Sequence, residues 1–145
     1  MRRINIFTLA PSLESSREGY RHRSARVGAE LGAEKIGGGV YEIPEGESPF
    51  PYHFHHGMEE WGIVIDGSPT LRSPDGERQL TRGDVVCFPP GAVGAHQFRG
   101  PGRLLMISAN RLPEAAEYPD SNKLGVMPAR KVFRLGDATD YWEGE

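Results

Sequence analysis

The sequence predicts a single all-β domain, a sandwich or barrel of short strands. Three observations lead there. At 145 residues the chain suits one domain and is long enough to bury a core. Its 19 glycines and 12 prolines recur as punctuation between short β-branched runs and do not gather into a low-complexity tract. Between residues 36 and 108 those runs number about eight, at the even spacing of a sandwich or barrel.

Taken in order, INIF at residues 4–7 is expected to form a short edge strand. Residues 9–26 are polar and carry turn formers, which reads as a loop or arm. SARVGAELGAEK offers one helical turn, weakened by Gly28 and Gly32. IGGGVYEI is a strand that puts Val40 and Glu42 on one face and Tyr41 and Ile43 on the other, ended by Pro44 and Gly46. FPYHFHH is the next strand, and WGIVIDG follows, closing at Asp66 and Gly67. PTLRSPDGERQLTRG outlines a hairpin with its turn at Ser73, Pro74, Asp75 and Gly76, where proline fixes φ and glycine accepts a positive φ. DVVCF is a strand closed by Pro89, Pro90 and Gly91; AHQF is short; RLLMIS at residues 103–108 is a buried strand.

Beyond Asn110, prolines at 113, 119 and 128 break the pattern. LGVM and KVFRL are expected as short strands, and the rest as an arm laid over the barrel or over a neighbour. The expected organisation is an N-terminal arm over residues 1–35, a barrel over 36–110 and a C-terminal arm over 111–145, one domain overall. No internal repeat or linker marks a second domain.

Composition excludes several partners. With 17 basic and 20 acidic residues the net charge is -3, which gives no electrostatic basis for nucleic-acid binding. The basic patches MRR and RHRSAR read as solvated loops. A single cysteine, Cys87, allows no internal disulfide and fits a reducing compartment. Within DVVCF it reads as a small buried hydrophobe, with no histidine adjoining it as a nucleophile's base would. The N-terminal stretch has only a brief apolar run and no signal-peptide pattern, and no segment approaches the ~20 apolar residues of a membrane helix. A cytoplasmic protein without membrane or nucleic-acid partners is expected.

The stretch YHFHHGMEEWGIVIDG, residues 52–67, packs three histidines and two glutamates into its first nine residues. On a strand, i and i+2 face one side, so His53 and His55 project together while Phe54 and His56 point away. Two imidazoles so placed form a bidentate pair for a divalent metal. In the next strand Glu60, Gly62 and Val64 share one face, and Glu59, Trp61, Ile63 and Ile65 the other, so only one glutamate can point inward. His96 follows the turn-rich FPPGAVGA. Three neutral imidazoles and one carboxylate would leave up to two positions of an octahedron open. The bland alternative is a polar loop whose histidines are ordinary surface or core residues.

The ordered series resembles the cupin superfamily. Its first motif runs glycine, five residues, His-any-His, three or four residues, Glu, six residues, Gly. Here Gly46 precedes His53 by six intervening residues, four residues separate His55 from Glu60, and six more lead to Gly67. The second motif runs glycine, five residues, Pro-any-Gly, two residues, His, three residues, Asn. Gly83 and Pro89-Pro90-Gly91 match it; His96 comes two residues late, and Gly100 stands where Asn is usual. The flanks GAEKIGGGVYEIPEG, EYPDSNKLGV and DYWEGE are similar to a group of small bacterial cupin-2 proteins with no general assigned reaction.

The resemblance implies a double-stranded β-helix, or jelly-roll, barrel with one divalent metal per chain, Fe, Mn, Ni, Co or Zn, held by His53, His55, Glu60 and His96. Glu59 is the nearest substitute for Glu60. His56 is expected at the periphery or in solvent, and His22 away from the site. Phe50, Tyr52, Phe88 and Met106 are expected as core, and Arg72, Arg78 and Arg103 as outward-facing, since an unpaired inward arginine is costly. The apolar outer face at Trp61, Ile63 and Ile65 needs cover, from the arms or from a second subunit, and a homodimer is expected. Two function classes follow. One is a metal-dependent enzyme of isomerase, dioxygenase or lyase type acting on a small oxygenated substrate. The other is a non-catalytic module that binds or senses a small molecule at a metal centre. No catalytic residue beyond the metal ligands is identified.

Overall fold

The computed structural model describes all 145 residues, Met1–Glu145. Thirteen strands and one short helix follow in the order β1 (Leu13–Ser15), β2 (His22–Ala25), α1 (Val27–Leu31), β3 (Ile36–Ile43), β4 (Phe54–His55), β5 (Glu60–Gly67), β6 (Thr70–Ser73), β7 (Gly76–Gln79), β8 (Val85–Phe88), β9 (Gln97–Arg99), β10 (Gly102–Ala109), β11 (Glu114–Tyr118), β12 (Lys123–Met127) and β13 (Lys131–Arg134). All strand pairings are antiparallel. No helix is long and apolar enough to cross a membrane.

The strands form a six-stranded sheet β1-β2-β3-β10-β5-β8, a four-stranded sheet β13-β12-β11-β4 and a three-stranded sheet β7-β6-β9. This is an all-β jelly roll, but the sheets do not close into one hydrogen-bonded barrel as the sequence had suggested. Pro44, Pro51, Pro69 and Pro101 sit at the corners without an N–H to give to a ladder. The isolated bridges Glu45↔Gly100 and His53↔His96 span gaps between sheets.

The main core lies between the six- and three-stranded sheets. Ile43, Val64, Phe88, Leu104 and Met106 from the first meet Leu71 and Phe98 from the second, with Leu80 beside them. Alternation along each strand supplies these inward positions. On the opposite face of the six-stranded sheet, Val27, Val40 and Ile65 form a smaller cluster under Ile4, Ile6 and Leu9. Arg103 fixes that cover: its guanidinium donates to the carbonyls of Ile6 and Leu9, 2.9 and 2.5 Å away, and pairs with Glu42. Gly67 ends β5 at φ 84°, where a Cβ would lie 2.8 Å from the Gly102 Cα, so the strand can turn there only without a side chain.

Several expectations need correction. Residues 4–7 form no strand; the chain turns there and uses Ile4 and Ile6 as packing. The polar segment read as a loop contains β1 and β2, because the free edge of β3 offers backbone partners that need no hydrophobic alternation. Of FPYHFHH only Phe54–His55 is a strand, since Pro51 interrupts the ladder. Glu114–Tyr118, read as an irregular arm, is β11 and pairs with β4. Cys87 is exposed, not buried: on β8 the inward positions fall to Val86 and Phe88, and Cys87 lies opposite Trp61 on the outer face.

Leu104 is fully buried at the centre of the main core. Leu104→Ala is expected to lower unfolding free energy by about 2–5 kcal/mol, read as a reduced denaturant midpoint at unchanged slope.

Candidate metal centre

The site is assembled by one backbone contact. His53 and His96 face each other across an isolated bridge, the His53 N–H donating to the His96 carbonyl at 3.2 Å and the His96 N–H donating back at 2.9 Å. Directly opposed residues carry their side chains to the same face. The two rings stand 4.7 Å apart, and His55, two residues on, brings its ring to 5.1 Å from that of His53. Glu60 enters from the first position of β5, opposite Phe88. The Phe88 ring stacks on His96 at 3.8 Å and 13°, which fixes the plane of that imidazole.

Two ring tautomers are set by backbone carbonyls. His53 Nδ1 lies 2.9 Å from the Pro51 carbonyl and His96 Nδ1 2.9 Å from the Gly94 carbonyl. A carbonyl only accepts, so each Nδ1 carries the proton and each Nε2 of a neutral ring presents a lone pair. His96 Nε2 is buried, has no hydrogen-bond partner, and stands 3.2 Å from Glu60 Oε2. An imidazole lone pair and a carboxylate oxygen therefore confront each other in a buried place. A cation between them resolves that conflict, so the residues fit a metal ion.

One ligand atom each from His53, Glu60 and His96 lies within 4.8 Å of the others. Donors about 2.1 Å from one ion stand roughly 3–4 Å apart, which is within reach of that set. His55 stands beside the trio, its Nε2 3.6 Å from Glu60 Oε2. Glu60, and not Glu59, faces the histidines; Glu59 accepts the indole N–H of Trp61 on the outer face. His56 is exposed and reaches Glu117 at 3.2 Å. His22 is one ring removed from the cluster, 6.3 Å from Phe50, which is itself 6.0 Å from His53. Phe88 and Met106 are core, whereas Phe50 is only partly buried. Arg72 lies over the Tyr52 ring and pairs with Asp120, Arg78 is exposed, and Arg103 braces the N-terminal segment.

Electrostatics follow from burial and crowding. Burial, aided by the charges His96 and His55 can carry, pushes His53 down from 6.5 to about 4. Burial would raise Glu60, but the His55 and His96 rings, when they carry a proton on Nε2 in place of a metal, outweigh it and hold the carboxyl at about 2. His55 is also penalised by burial, yet the Glu60 and Glu114 carboxylates raise it overall. Burial raises the phenols of Tyr41 and Tyr118, the former aided by the Glu60 charge, so both stay neutral. Tyr118 stands nearly parallel to His53 at 5.9 Å. Tyr118 and Glu114 were not singled out from the sequence. Both lie in a proline-flanked stretch without alternation, and only the pairing of β11 with β4 brings them here.

Residues 39–108 match the cupin domain family. No curated protein sequence matches the chain. Among solved structures, a sugar phosphate isomerase of a cupin superfamily from Silicibacter pomeroyi is 20% identical, with 96% of each chain covered and a TM-score of 0.81. A structure from Acidithiobacillus ferrooxidans is 23% identical over 93% of this chain and 91% of its own, with a TM-score of 0.79. The polyketide cyclase RemF from Streptomyces resistomycificus is 24% identical over 79% and 83%, with a TM-score of 0.58. At these identities the likeness is one of fold.

Between pH 6.5 and about 4 an unfolded His53 takes up a proton that the folded protein refuses. The metal-free protein should therefore lose stability as pH falls through that window, by up to about 3 kcal/mol for a shift of this size. Glu60 adds loss of the same sign between 4.5 and about 2. His55 acts oppositely, its contribution fading as pH rises above 6.5 through its raised value. Denaturant midpoints of chelator-treated protein at pH 4.5 and 6.5 check this, and His53→Gln should flatten the slope.

Proposed function

From the cupin jelly-roll fold and the match of residues 39–108 to the cupin domain family, we propose that this chain is a metal-dependent enzyme of isomerase type acting on a small hydroxy-carbonyl substrate. The observation that carries the proposal is the buried, unpartnered His96 Nε2 facing Glu60 Oε2 at 3.2 Å. In the proposal His53, His55 and His96, through Nε2, and Glu60, through a carboxylate oxygen, hold one divalent ion of Fe, Mn, Ni, Co or Zn. When bound, such an ion polarises a carbonyl or enediolate oxygen as a Lewis acid.

The chain's own residues supply the rest. The neutral phenols of Tyr41 and Tyr118 border the cluster and can donate hydrogen bonds to substrate oxygens as negative charge develops there. Phe50 and Tyr41, with rings 4.9 Å apart, wall one side against water. The isomerase class is supported by the name of the Silicibacter pomeroyi neighbour and by these uncharged proton donors, whereas fold alone does not select a reaction.

Untagged protein is expected to carry about one first-row metal ion per chain by elemental analysis, and to catalyse exchange of the carbon-bound proton next to the carbonyl of a hydroxy-aldehyde or hydroxy-ketone in deuterated water. Chelation and His96→Ala should abolish the exchange. Protein that binds none of the five metals would overturn the proposal. A bound metal with ligand-dependent melting shifts but no exchange would instead favour the non-catalytic binding module.

The homodimer is proposed on the outer face of the six-stranded sheet. Trp61 pairs with Cys87 on one side and Ile107 on the other, and exposed Val85 and Ile36 extend the apolar strip. A second copy covering that strip predicts a dimer mass in solution, shifted to monomer by Trp61→Glu.

A further inference from the structure

We propose that Glu114 is a positioning residue of the metal centre, holding the 55–57 turn and the His55 ring so that Nε2 is presented to the ion. The inference rests on the metal-site proposal above. Glu114 opens β11, outside the cupin domain of residues 39–108, yet its carboxylate reaches three consecutive residues within it. Oε1 accepts the His56 N–H at 3.1 Å, Oε2 accepts the Gly57 N–H at 3.1 Å, and Oε1 lies 3.3 Å from His55 Nδ1. The residue is 5% exposed. A carboxylate is buried that deeply only where donors compensate for lost water, and here the turn's backbone provides them.

His55 needs such a partner where the other two histidines do not. His53 and His96 each turn Nδ1 to the carbonyl two residues earlier, at Pro51 and Gly94. His55 has no such carbonyl; its Nδ1 is buried without a hydrogen bond, and the anionic atom beside it is Glu114 Oε1. An Nδ1–H directed at a carboxylate leaves Nε2 free to bind metal and makes it a stronger donor.

The β11–β4 register makes this contact a consequence of strand pairing. Ala116 opposes His55 and Glu117 opposes Phe54, so Glu114 and His55 are diagonal neighbours on one face. Glu117 and His56 meet in the same way on the other face, 3.2 Å apart and exposed. Gly57 leaves the room required, because a Cβ there would stand 2.8 Å from Glu114 Oε2.

The test is Co(II) titration of chelator-stripped full-length protein, reading affinity and the d–d absorption spectrum. Glu114→Gln keeps one oxygen, which can accept the His56 N–H and, at longer range, that of Gly57, but replaces the second acceptor with an amide nitrogen and removes the charge. Gly57→Ala keeps the charge but pushes the carboxylate aside. Both are expected to weaken Co(II) binding about 10- to 100-fold and to change the intensity of the d–d bands. A mere brace of the turn would lower the melting temperature while affinity and spectrum stayed those of the wild type, and that result overturns the proposal. Should Glu114→Gln fail to fold by circular dichroism, Gly57→Ala decides by the same criteria. Wild-type protein that takes up no metal overturns the metal site itself and this inference with it; wild-type binding matched by both variants overturns this inference alone.

Discussion

Two backbone hydrogen bonds between His53 and His96 set the geometry on which the site depends. They bring side chains from distant parts of the chain to one face at cross-strand distance. Carbonyls two residues earlier then fix both Nδ1 atoms, and Phe88 fixes the plane of one ring. What remains free on each imidazole is Nε2. Glu60 is delivered into the same space by β5, a strand held on both sides by β10 and β8. The chain thereby concentrates acceptors in a buried volume, an arrangement whose electrostatic cost a cation offsets.

The rest of the fold holds that arrangement rigid. The six-stranded sheet is buttressed on one side by the Leu104–Phe98 core and on the other by the N-terminal segment, which Arg103 fastens through two carbonyls and Glu42. The C-terminal strands extend a sheet from β4, the shortest strand and the one that carries His55. A two-residue strand has little stability of its own. Its pairing with β11 and the Glu114 bonds to the following turn supply what it lacks. The segments flanking residues 39–108 are therefore structural parts of the site.

The environment separates the titratable groups by role. His53 is driven neutral by burial, Glu60 is kept ionised by its neighbours, and Tyr41 and Tyr118 remain protonated. One ionised carboxylate, one neutral imidazole and two un-ionised phenols are thereby set side by side.

Much of this was legible in the residues. The eight strands β3 to β10 follow from alternation and from glycine and proline punctuation, and the spacing of His53, His55, Glu60 and Gly67 places the first two on one side and Glu60 at the start of an inward-facing row. These are local properties: a period of two and a residue with no Cβ or no N–H leave their mark in the sequence itself. Tertiary structure alone decided the remainder. β1, β2 and β11 have polar, unpatterned sequences and are strands because a neighbouring edge offers backbone partners. Cys87 faces out because β8 spends its inward positions on Val86 and Phe88, and the open sheets reflect corners at which proline breaks the ladder. Glu114 could not be picked from several glutamates, because its role arises from a register between strands far apart in the chain, and no local period encodes a pairing of that kind.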